Sequence, residues 1–469
     1  MKLKLKLNAP ILFALCSFAI IIYTTAVILV HGGMYDMFMG TILTEVFSMV
    51  MFVFALTIYK RVNASPEKNM FSFFIFLLTF ALQSASAICY PFQAHRSSRS
   101  GLIEESVSFI EKIFSEESVS GRQNKFLIQI IIFFIVFLCC SLLPKAEKII
   151  QKRIRLVVYI PVILNLMFGL YFLFTSGNSA DIKGVMIGLP LLALMIFSFS
   201  IYHSFYRYVT QDDTIQHSKI KNKDKVIFLL MVISSATLIL GYVHRHEYGV
   251  PIFYILSCFS WIFFEQHNTI RTKKCKILFY GISAIIIVMG ILIALFSYIT
   301  YKSAYNSAMN EGVIPKSDIE EYVSDISLFH NLGSKVGRIF LDTGKKFVRT
   351  AGVFGNSALA YDRAANNDYA LGLQIHNFGI AWLFIVVFLI ILTVISGSIY
   401  LSKVKEQRTI FDTAKSLSFF CIVVLLFYPL LSNVGLAAII GVSAYATGYS
   451  IMHSILSAIL LSFVLYERR

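Results

Sequence analysis

Long apolar runs separated by short charged segments constrain the fold of this chain more than any other feature. Twelve such runs occur, at 11–31, 39–59, 70–90, 126–143, 155–175, 184–206, 226–243, 250–265, 277–300, 370–401, 416–440 and 442–465. In lipid every backbone amide must be satisfied within its own segment, and about 20 apolar helical residues cross the hydrocarbon layer. With 57% hydrophobic and 14% charged residues, the sequence predicts an all-α polytopic integral membrane protein with about 10–12 transmembrane helices.

Basic residues are distributed unevenly between the segments that join these runs. If the amino terminus lies in the cytoplasm, most of the 41 Lys and Arg residues fall in inner segments and most of the 26 Asp and Glu residues in outer segments. Cytoplasmic loops of membrane proteins carry an excess of positive charge. We therefore expect both termini in the cytoplasm, and we expect the basic residues to contact anionic membrane lipids and not nucleic acid.

Two outer segments are too long to be simple turns within what we expect to be a single membrane domain over 1–469. The first, 91–125, carries apolar residues at helical spacing among glutamates, which predicts a short surface helix. The second, 301–369, predicts a large extracytoplasmic loop before the last three helices, in 370–469. Within it, 317–332 is amphipathic and predicts a helix that lies along the outer membrane surface or packs within the loop.

The second half of that loop is strongly basic. Five cations occur within fifteen residues against the single carboxylate of Asp342, namely Lys335, Arg338, Lys345, Lys346 and Arg349. Such a cluster on the outer side calls for an anionic partner. Phosphate fits, because Arg offers a bidentate fork and Lys a point charge; attraction to phospholipid headgroups is the alternative.

Asp368 stands where the loop meets the apolar run 370–401. A carboxylate at this position can cap free amides and gains from the helix dipole, so a capping role and a reactive role are both open. His376 and Asn377 follow two helical turns later, and we expect them to form hydrogen bonds between helices.

Two further carboxylates fall on the same side of the membrane. Glu45 lies about 9 Å below the outer end of its run, by helical rise. A carboxylate at that depth is costly to ionise, so Glu45 is a candidate functional residue that is protonated or paired. Asp181 precedes the run 184–206, and an ordinary solvated loop residue is the alternative interpretation.

Motifs of soluble enzymes are missing. The sequence has no Walker loop, no H-E-x-x-H, no CxxC pair and no nucleophile elbow, and its seven cysteines show no disulfide or zinc pattern. No metal ligands are therefore expected. The missing nucleotide motif argues against a nucleotide-driven pump, so any catalysis should use an already activated substrate.

The stretch GVFGNSALAYDRAANNDYALGLQIHNFGIAWLF, at 352–384, resembles the loop and following helix of the SEDS family, the RodA and FtsW type of peptidoglycan glycosyltransferase. In that family a glycine-rich stretch precedes an aspartate-aromatic pair that opens a membrane helix. The matching residues here are Gly352, Gly355, Asn356, Ser357, Asp368, Tyr369, His376, Asn377 and Gly379. RIFLD at 338–342, NVG at 433–435 and GYS at 448–450 are also similar to family segments, and ADIKG at 180–184 weakly so. The chain departs from the pattern where the family has a Glu-Glu pair, which is His376 and Asn377 here.

The resemblance implies a SEDS-like architecture, related to the GT-C glycosyltransferases, in a bacterial cytoplasmic membrane. It implies polymerisation of lipid II at the outer face, with inversion and with undecaprenyl pyrophosphate as the leaving group. Asp368 would be the base and Arg338, Lys345, Lys346 and Arg349 would stabilise the pyrophosphate. Supporting residues would be Glu45, Asp181, Asn356, His376 and Asn377. A class B penicillin-binding protein is the expected partner. No cofactor is firmly implied, and a divalent cation such as Mg²⁺ is the candidate.

Three other functions remain open. An O-antigen polymerase or ligase also combines many helices with a basic outer loop and uses lipid-linked sugars. A flippase for a lipid-linked precursor would relay protons through Glu45 and buried histidines. A scaffold for wall synthesis would carry out no chemistry.

Overall fold

The computed structural model of the chain describes residues 9–30, 35–61, 65–94, 119–175, 181–182, 185–186, 188–210, 222–245, 247, 249–269, 351–355, 370–402, 409–434, 444–448 and 450–466. In these ranges the structure is helical apart from short turns and one small hairpin. The helices are α1 (Ala9–Val30), α2 (Tyr35–Arg61), α3 (Pro66–Ala94), α4 (Val119–Leu142), α5 (Glu147–Lys152), α6 (Ile154–Val157), α7 (Tyr159–Phe174), α8 (Gly188–Thr210), α9 (Asn222–His244), α10 (Gly249–Thr269), α11 (Ala370–Ser402), α12 (Ile410–Asn433) and α13 (Ile451–Val464).

Two minor elements complete the described structure. A 3₁₀ turn, Leu143–Ala146, joins α4 to α5. Strands β1 (Asp181–Ile182) and β2 (Val185–Met186) form an antiparallel hairpin between α7 and α8, with Asp181 opposite Met186.

Nine spans in the described ranges are long and apolar enough to cross a membrane, and α10 and α13 contain shorter apolar stretches. The chain is therefore a multi-pass membrane protein. Each predicted run except 277–300, which lies outside the described residues, overlaps at least one helix, and the run 184–206 includes β2 before α8 begins at Gly188. Between α3 and α4, residues 95–118 are likewise outside the description, and so are the surface helix predicted there and the loop helix predicted at 317–332.

The last predicted run, 442–465, differs from the structure at its beginning. Residues 444–448 form a buried turn, and α13 begins only at Ile451. Ala446 has a φ of 60°, which a right-handed helix cannot contain. The Ser450 hydroxyl then accepts a hydrogen bond from the Met452 amide and caps the helix.

Helix α3 lies at the centre of the bundle. Within its span Pro66–Cys89, 89% of an apolar 18-residue window is buried inside the protein, against 33% of the corresponding window of α4. α3 packs against α11, α2, α1 and α4, and α13 packs against α4 and α12. Lipid is as apolar as these side chains, so the hydrophobic effect does not bring the helices together. The central position of α3 therefore depends on close packing and polar contacts between helices.

The two ends of the bundle are named here by one residue each. At the Ala370 end α11 and α13 begin and α3 stops. At the Tyr466 end α13 stops, and the Tyr466 hydroxyl donates a 2.6 Å hydrogen bond to Glu147 Oε2. Lys415 Nζ donates to Tyr400 Oη over 3.2 Å, and that hydroxyl donates to the Tyr466 carbonyl over 3.0 Å.

Candidate functional site

Helix α11 is broken at Gly379, close to the Ala370 end. Gly379 has φ 85° and ψ −179°, a backbone conformation that residues with a Cβ rarely adopt. The Ile380 amide donates to the Gly352 carbonyl over 3.0 Å, and the Ala381 amide donates to the Val353 carbonyl over 3.1 Å. Residues 351–355, the last described part of the long loop, therefore satisfy the amides that the break leaves free.

The close approach of these two segments requires glycine. A Cβ on Gly379 would lie 2.3 Å from both the Gly355 nitrogen and the Val353 oxygen. Neither backbone atom can move without moving the segment that carries it. Ala351, at the start of the segment, is fully buried. The loop end is thus fixed to the helix by shape as well as by hydrogen bonds.

Four polar side chains near the end of α3, called here the α3 polar segment, each face a different neighbour. They are Gln83, Ser84, Ser86 and Cys89. Ser84 donates to Glu45 on α2. Ser86 donates to the Thr447 carbonyl over 3.1 Å, which ties α3 to the buried turn before α13. Cys89 Sγ accepts a 3.3 Å hydrogen bond from Asn377 Nδ2 on α11.

Gln374 connects α11 to the α3 polar segment. Its Nε2 group donates to Ser86 Oγ over 2.9 Å and to the Leu82 carbonyl over 3.1 Å. Its Oε1 atom accepts a 3.4 Å hydrogen bond from Trp382 Nε1. Since all of α11 from Ala370 to Gly379 is buried, this amide holds a polar face of the broken helix against α3.

Glu45 lies between three helices and is 1% exposed. Its Oε1 atom accepts hydrogen bonds from Ser84 Oγ and, over 3.1 Å, from Thr24 Oγ1 on α1. Its Oε2 atom has no hydrogen-bond partner among the described residues.

A narrow pocket lies between α3, α4 and the turn before α13, with room for about one water molecule. His453 Nε2 lies 2.9 Å from the Ala444 carbonyl. Because a carbonyl only accepts, Nε2 carries a hydrogen, and in the neutral imidazole Nδ1 is then an acceptor. Neither His453 Nδ1 nor Gln83 Oε1 forms a hydrogen bond within the part of the chain that the structure describes. The pocket is lined by Gln83, Phe126, Gln129, Ile130, Ala446, Gly448, His453 and Ser454.

Buried acceptors without partners therefore collect at the Ala370 end. They are Glu45 Oε2, Gln83 Oε1, Asn377 Oδ1 and His453 Nδ1, on side chains 1%, 6%, 5% and 2% exposed, and none is bonded to a described residue. Such atoms are costly to bury alone and complement a ligand that donates hydrogen bonds or carries positive charge. They do not complement a phosphate. No group of three or more His, Cys, Asp or Glu side chains within the described ranges could hold a metal ion.

Several predicted site residues lie outside the described residues, namely Asp368, Arg338, Lys345, Lys346, Arg349 and Asn356. Asp181 is described only by its backbone in β1. His376 is buried on α11 and 4% exposed, and Asn377 bonds across to α3 as given above.

The α3 polar segment is not among the site residues predicted from the sequence. The stretch LQSASAIC, at 82–89, places amides, hydroxyls and small residues inside an apolar run. Small and polar residues of this kind mark helix interfaces in membranes and are the signal that could have identified it. Comparison with protein-family models and with curated proteins finds no match for this chain.

Proposed function

We propose that this chain is a membrane glycosyltransferase whose sugar donor is linked to a polyprenyl pyrophosphate, with polymerisation of lipid II in a bacterial cytoplasmic membrane as the leading reaction. The observation that carries the proposal is the junction at the Ala370 end, where buried acceptors, a broken helix and the last described residues of a basic loop meet.

The chemistry of the acceptor atoms supports a carbohydrate ligand, for which the pocket at Gln83 and His453 would have to widen. Sugar hydroxyls and amide groups donate hydrogen bonds. A buried amide or imidazole acceptor without a partner carries a desolvation cost, and a hydrogen bond from such a donor removes it. Gln83, Asn377 and His453 supply such acceptors from three helices. Their chemistry favours the sugar part of the donor over its pyrophosphate.

The pyrophosphate would be bound by the loop cations. Arg349 stands two residues before Ala351, and Lys345 and Lys346 stand a few residues earlier. Two residues of chain span at most about 7 Å, and Ala351 belongs to the segment held at Gly379. Arg349, Lys345 and Lys346 would therefore lie near the edge of the acceptor-rich end, and Arg338 would join them to stabilise the leaving group.

Asp368 would act as the general base, two residues before Ala370. An acceptor hydroxyl would attack the anomeric carbon and lose its proton to the Asp368 carboxylate. The bond from that carbon to the pyrophosphate oxygen would break, with its electron pair leaving on the pyrophosphate. Attack opposite the leaving group inverts the anomeric centre. Glu45, Asp181, Asn356, His376 and Asn377 would support this arrangement.

The proposal includes an orientation and a partner. The Ala370 end would face outward and both termini inward, as the positive-inside rule favours. The large loop followed by α11, α12 and α13 would correspond to the end of a SEDS-like, GT-C-related fold. A class B penicillin-binding protein would work beside it.

The test is synthesis of glycan by purified protein from lipid II, with and without Mg²⁺ and with and without a candidate transpeptidase partner. We expect glycan strands from the native protein and at least a hundredfold less from Asp368→Asn. Asp362→Asn, in the same loop, is the matched control and should retain synthesis. Full activity of Asp368→Asn would remove this carboxylate from the mechanism.

Other outcomes select the rival functions. Polymer formed only from O-antigen units would identify an O-antigen polymerase or ligase, with the same class of donor. Movement of a lipid-linked precursor across vesicles without a new glycosidic bond would identify a flippase. Either result would overturn lipid II polymerisation.

A further inference from the structure

Glu45 is a buried carboxyl group for which the proposed reaction needs no chemical step. It lies within the α2 span Gly40–Ile58, between α1 and α3. Both of its described hydrogen bonds reach one oxygen, Oε1, and come from the hydroxyls of Thr24 and Ser84. A buried carboxylate needs more compensation than two neutral hydroxyls on one oxygen provide.

The Thr24 hydroxyl can bond Glu45 in either direction. Its oxygen lies 3.0 Å from the Ile20 carbonyl, 3.0 Å from the Ile21 carbonyl and 3.1 Å from Glu45 Oε1. A hydroxyl has one hydrogen and two lone pairs. When Glu45 is ionised, Thr24 donates to it. When Glu45 carries a proton on Oε1, Thr24 donates to a backbone carbonyl of its own helix and accepts from Glu45.

The other carboxyl oxygen has a candidate partner on its own helix. Ser48 stands one turn after Glu45 and is 1% exposed, and its Oγ forms no hydrogen bond to any residue in the described ranges. Side chains three residues apart on a helix are neighbours. A proton on Oε2 would therefore find an acceptor in Ser48. Since neither atom is bonded to a described residue, this contact would require a change of side-chain rotamer at Glu45 or Ser48.

None of the described charged or titratable side chains on the helices packed against α2 forms an ion pair with Glu45. On α1 the Tyr23 hydroxyl donates to the Phe378 carbonyl over 2.6 Å, and on α3 Cys89 accepts from Asn377. Gln123 on α4 donates to Thr41 on α2, so these two residues lie at the same height along the bundle. Lys125 is therefore the basic residue of α4 whose height is closest to that of Glu45. The remaining described groups of this kind stand further toward the Tyr466 end, namely Cys16, Glu67, Lys68, Cys139 and Cys140.

Toward the Tyr466 end the same helices close into an aromatic layer. Phe52, two turns beyond Glu45, is fully buried. Its ring centre lies 4.9 Å from that of Phe134, 5.7 Å from Phe76 and 6.2 Å from Phe13. Such a layer gives a proton no hydrogen-bonded path. Toward the Ala370 end α3 instead continues into the polar side chains of Ser86 and Cys89, which face the turn before α13 and α11, respectively.

We infer that Glu45 is an exchangeable proton-binding site that opens only toward the Ala370 end of the bundle. The ligand is a proton held between the Glu45 carboxyl and the hydroxyls of Thr24, Ser84 and Ser48. One-sided access means that this carboxyl cannot relay protons across the membrane. The site does not depend on the proposed glycosyl transfer and can be tested without any sugar substrate.

The test is infrared spectroscopy of the full-length protein in nanodiscs during a pH titration. We expect a carboxylic acid C=O band that disappears as pH rises, and we expect Glu45→Gln to lack it. Glu147→Gln is the matched control, because Glu147 is also buried but bonds Tyr466 at the opposite end; it should keep the band. If no titrating band is lost in a folded Glu45→Gln protein, Glu45 does not exchange a proton over this pH range and the inference is wrong.

Two milder variants test the hydrogen-bond assignment and protect against a misfolded Glu45→Gln protein. Ser84→Ala removes a donor to the ionised form, so the midpoint of the band should move to higher pH by about one unit. Ser48→Ala removes an acceptor for the proton, so the midpoint should move to lower pH. Shifts in the same direction would contradict the assigned geometry.

Sidedness and ion identity are tested in sealed proteoliposomes sorted by a carboxy-terminal tag. A pH jump applied to the face opposite the tag should change the band at once, and a jump on the tag side should not. Replacement of choline by Na⁺ should leave the midpoint unchanged. A midpoint that depends on Na⁺ would identify a sodium site and overturn the proton assignment, and equal access from both faces would overturn the one-sided opening.

Discussion

Replacing Gly379 by alanine should release the end of the long loop from α11. The residue has a φ of 85°, and a side chain in this region costs about 1–3 kcal/mol. The new Cβ would lie 2.3 Å from two backbone atoms of the segment 351–355, so the segment must move and its two hydrogen bonds, worth about 1 kcal/mol each, must break. The total of about 3–5 kcal/mol corresponds to a shift of more than a hundredfold toward the released state.

Electron spin resonance can measure this release directly. Val353 and Phe384 are 62% and 69% exposed, so each can be changed to cysteine and spin-labelled in a variant without the native cysteines. We expect one narrow distance distribution between the labels when residue 379 is glycine. In Gly379→Ala the distribution should broaden toward longer distances.

Gly397→Ala is the matched control in the same helix. Its Cβ would also meet close neighbours, the rings of Phe419 at 2.2 Å and Phe71 at 2.9 Å, but these belong to side chains and not to the backbone of the segment 351–355. The label distance should therefore stay narrow. If Gly379→Ala keeps the native label distance as well, the close fit to glycine does not hold the loop end. The placement of the loop cations beside the buried acceptors then loses its support.

Two further substitutions probe the same end of the bundle by thermal unfolding in detergent. Ala446→Gly should raise the unfolding temperature, because a non-glycine residue with φ 60° carries a strain of about 1 kcal/mol; a lower temperature would mean that the alanine methyl group contributes more by packing than it costs in strain. Gln374→Met keeps the volume but removes hydrogen bonds to Leu82, Ser86 and Trp382, so it should destabilise by about 2–3 kcal/mol; an unchanged unfolding temperature would show that these bonds contribute nothing net.

The helices could be predicted from the sequence because lipid leaves a spanning chain few choices. A run of about 20 apolar residues must satisfy its own amides, and helix is the structure that does so. This reasoning predicts α11 within a residue of its observed bounds, Ala370–Ser402. It fails at 444–448, where the backbone is buried within the protein and its groups bond to other segments, such as Tyr445 N to the Leu425 carbonyl. Hydropathy cannot distinguish burial in lipid from burial in protein.

The candidate site was only partly predictable for a related reason. Glu45 and Asn377 stand out because carboxylates and amides are rare in apolar runs. Ser84, Ser86 and Thr24 do not stand out, since a hydroxyl can always bond its own helix backbone. Their roles depend on which helix lies opposite, and one sequence does not contain that information. The break at Gly379 was visible only as a glycine within an apolar run.

The two ends of the bundle differ in how their buried polar atoms are satisfied, and this difference indicates which end can accept a ligand. At the Tyr466 end Lys415 bonds Tyr400 and Glu147 Oε2 bonds Tyr466, although Glu147 Oε1 has no partner among the described residues. Such pairs stabilise packing and leave little for a ligand to gain. At the Ala370 end the acceptor atoms of Glu45 and His453 lack partners among the described residues. A stable protein tolerates that cost when a ligand or proton removes it during function. Within the described ranges, a ligand at the Ala370 end would therefore complete the missing bonds of four carboxyl, amide and imidazole acceptors, against the single carboxyl oxygen of Glu147 at the Tyr466 end.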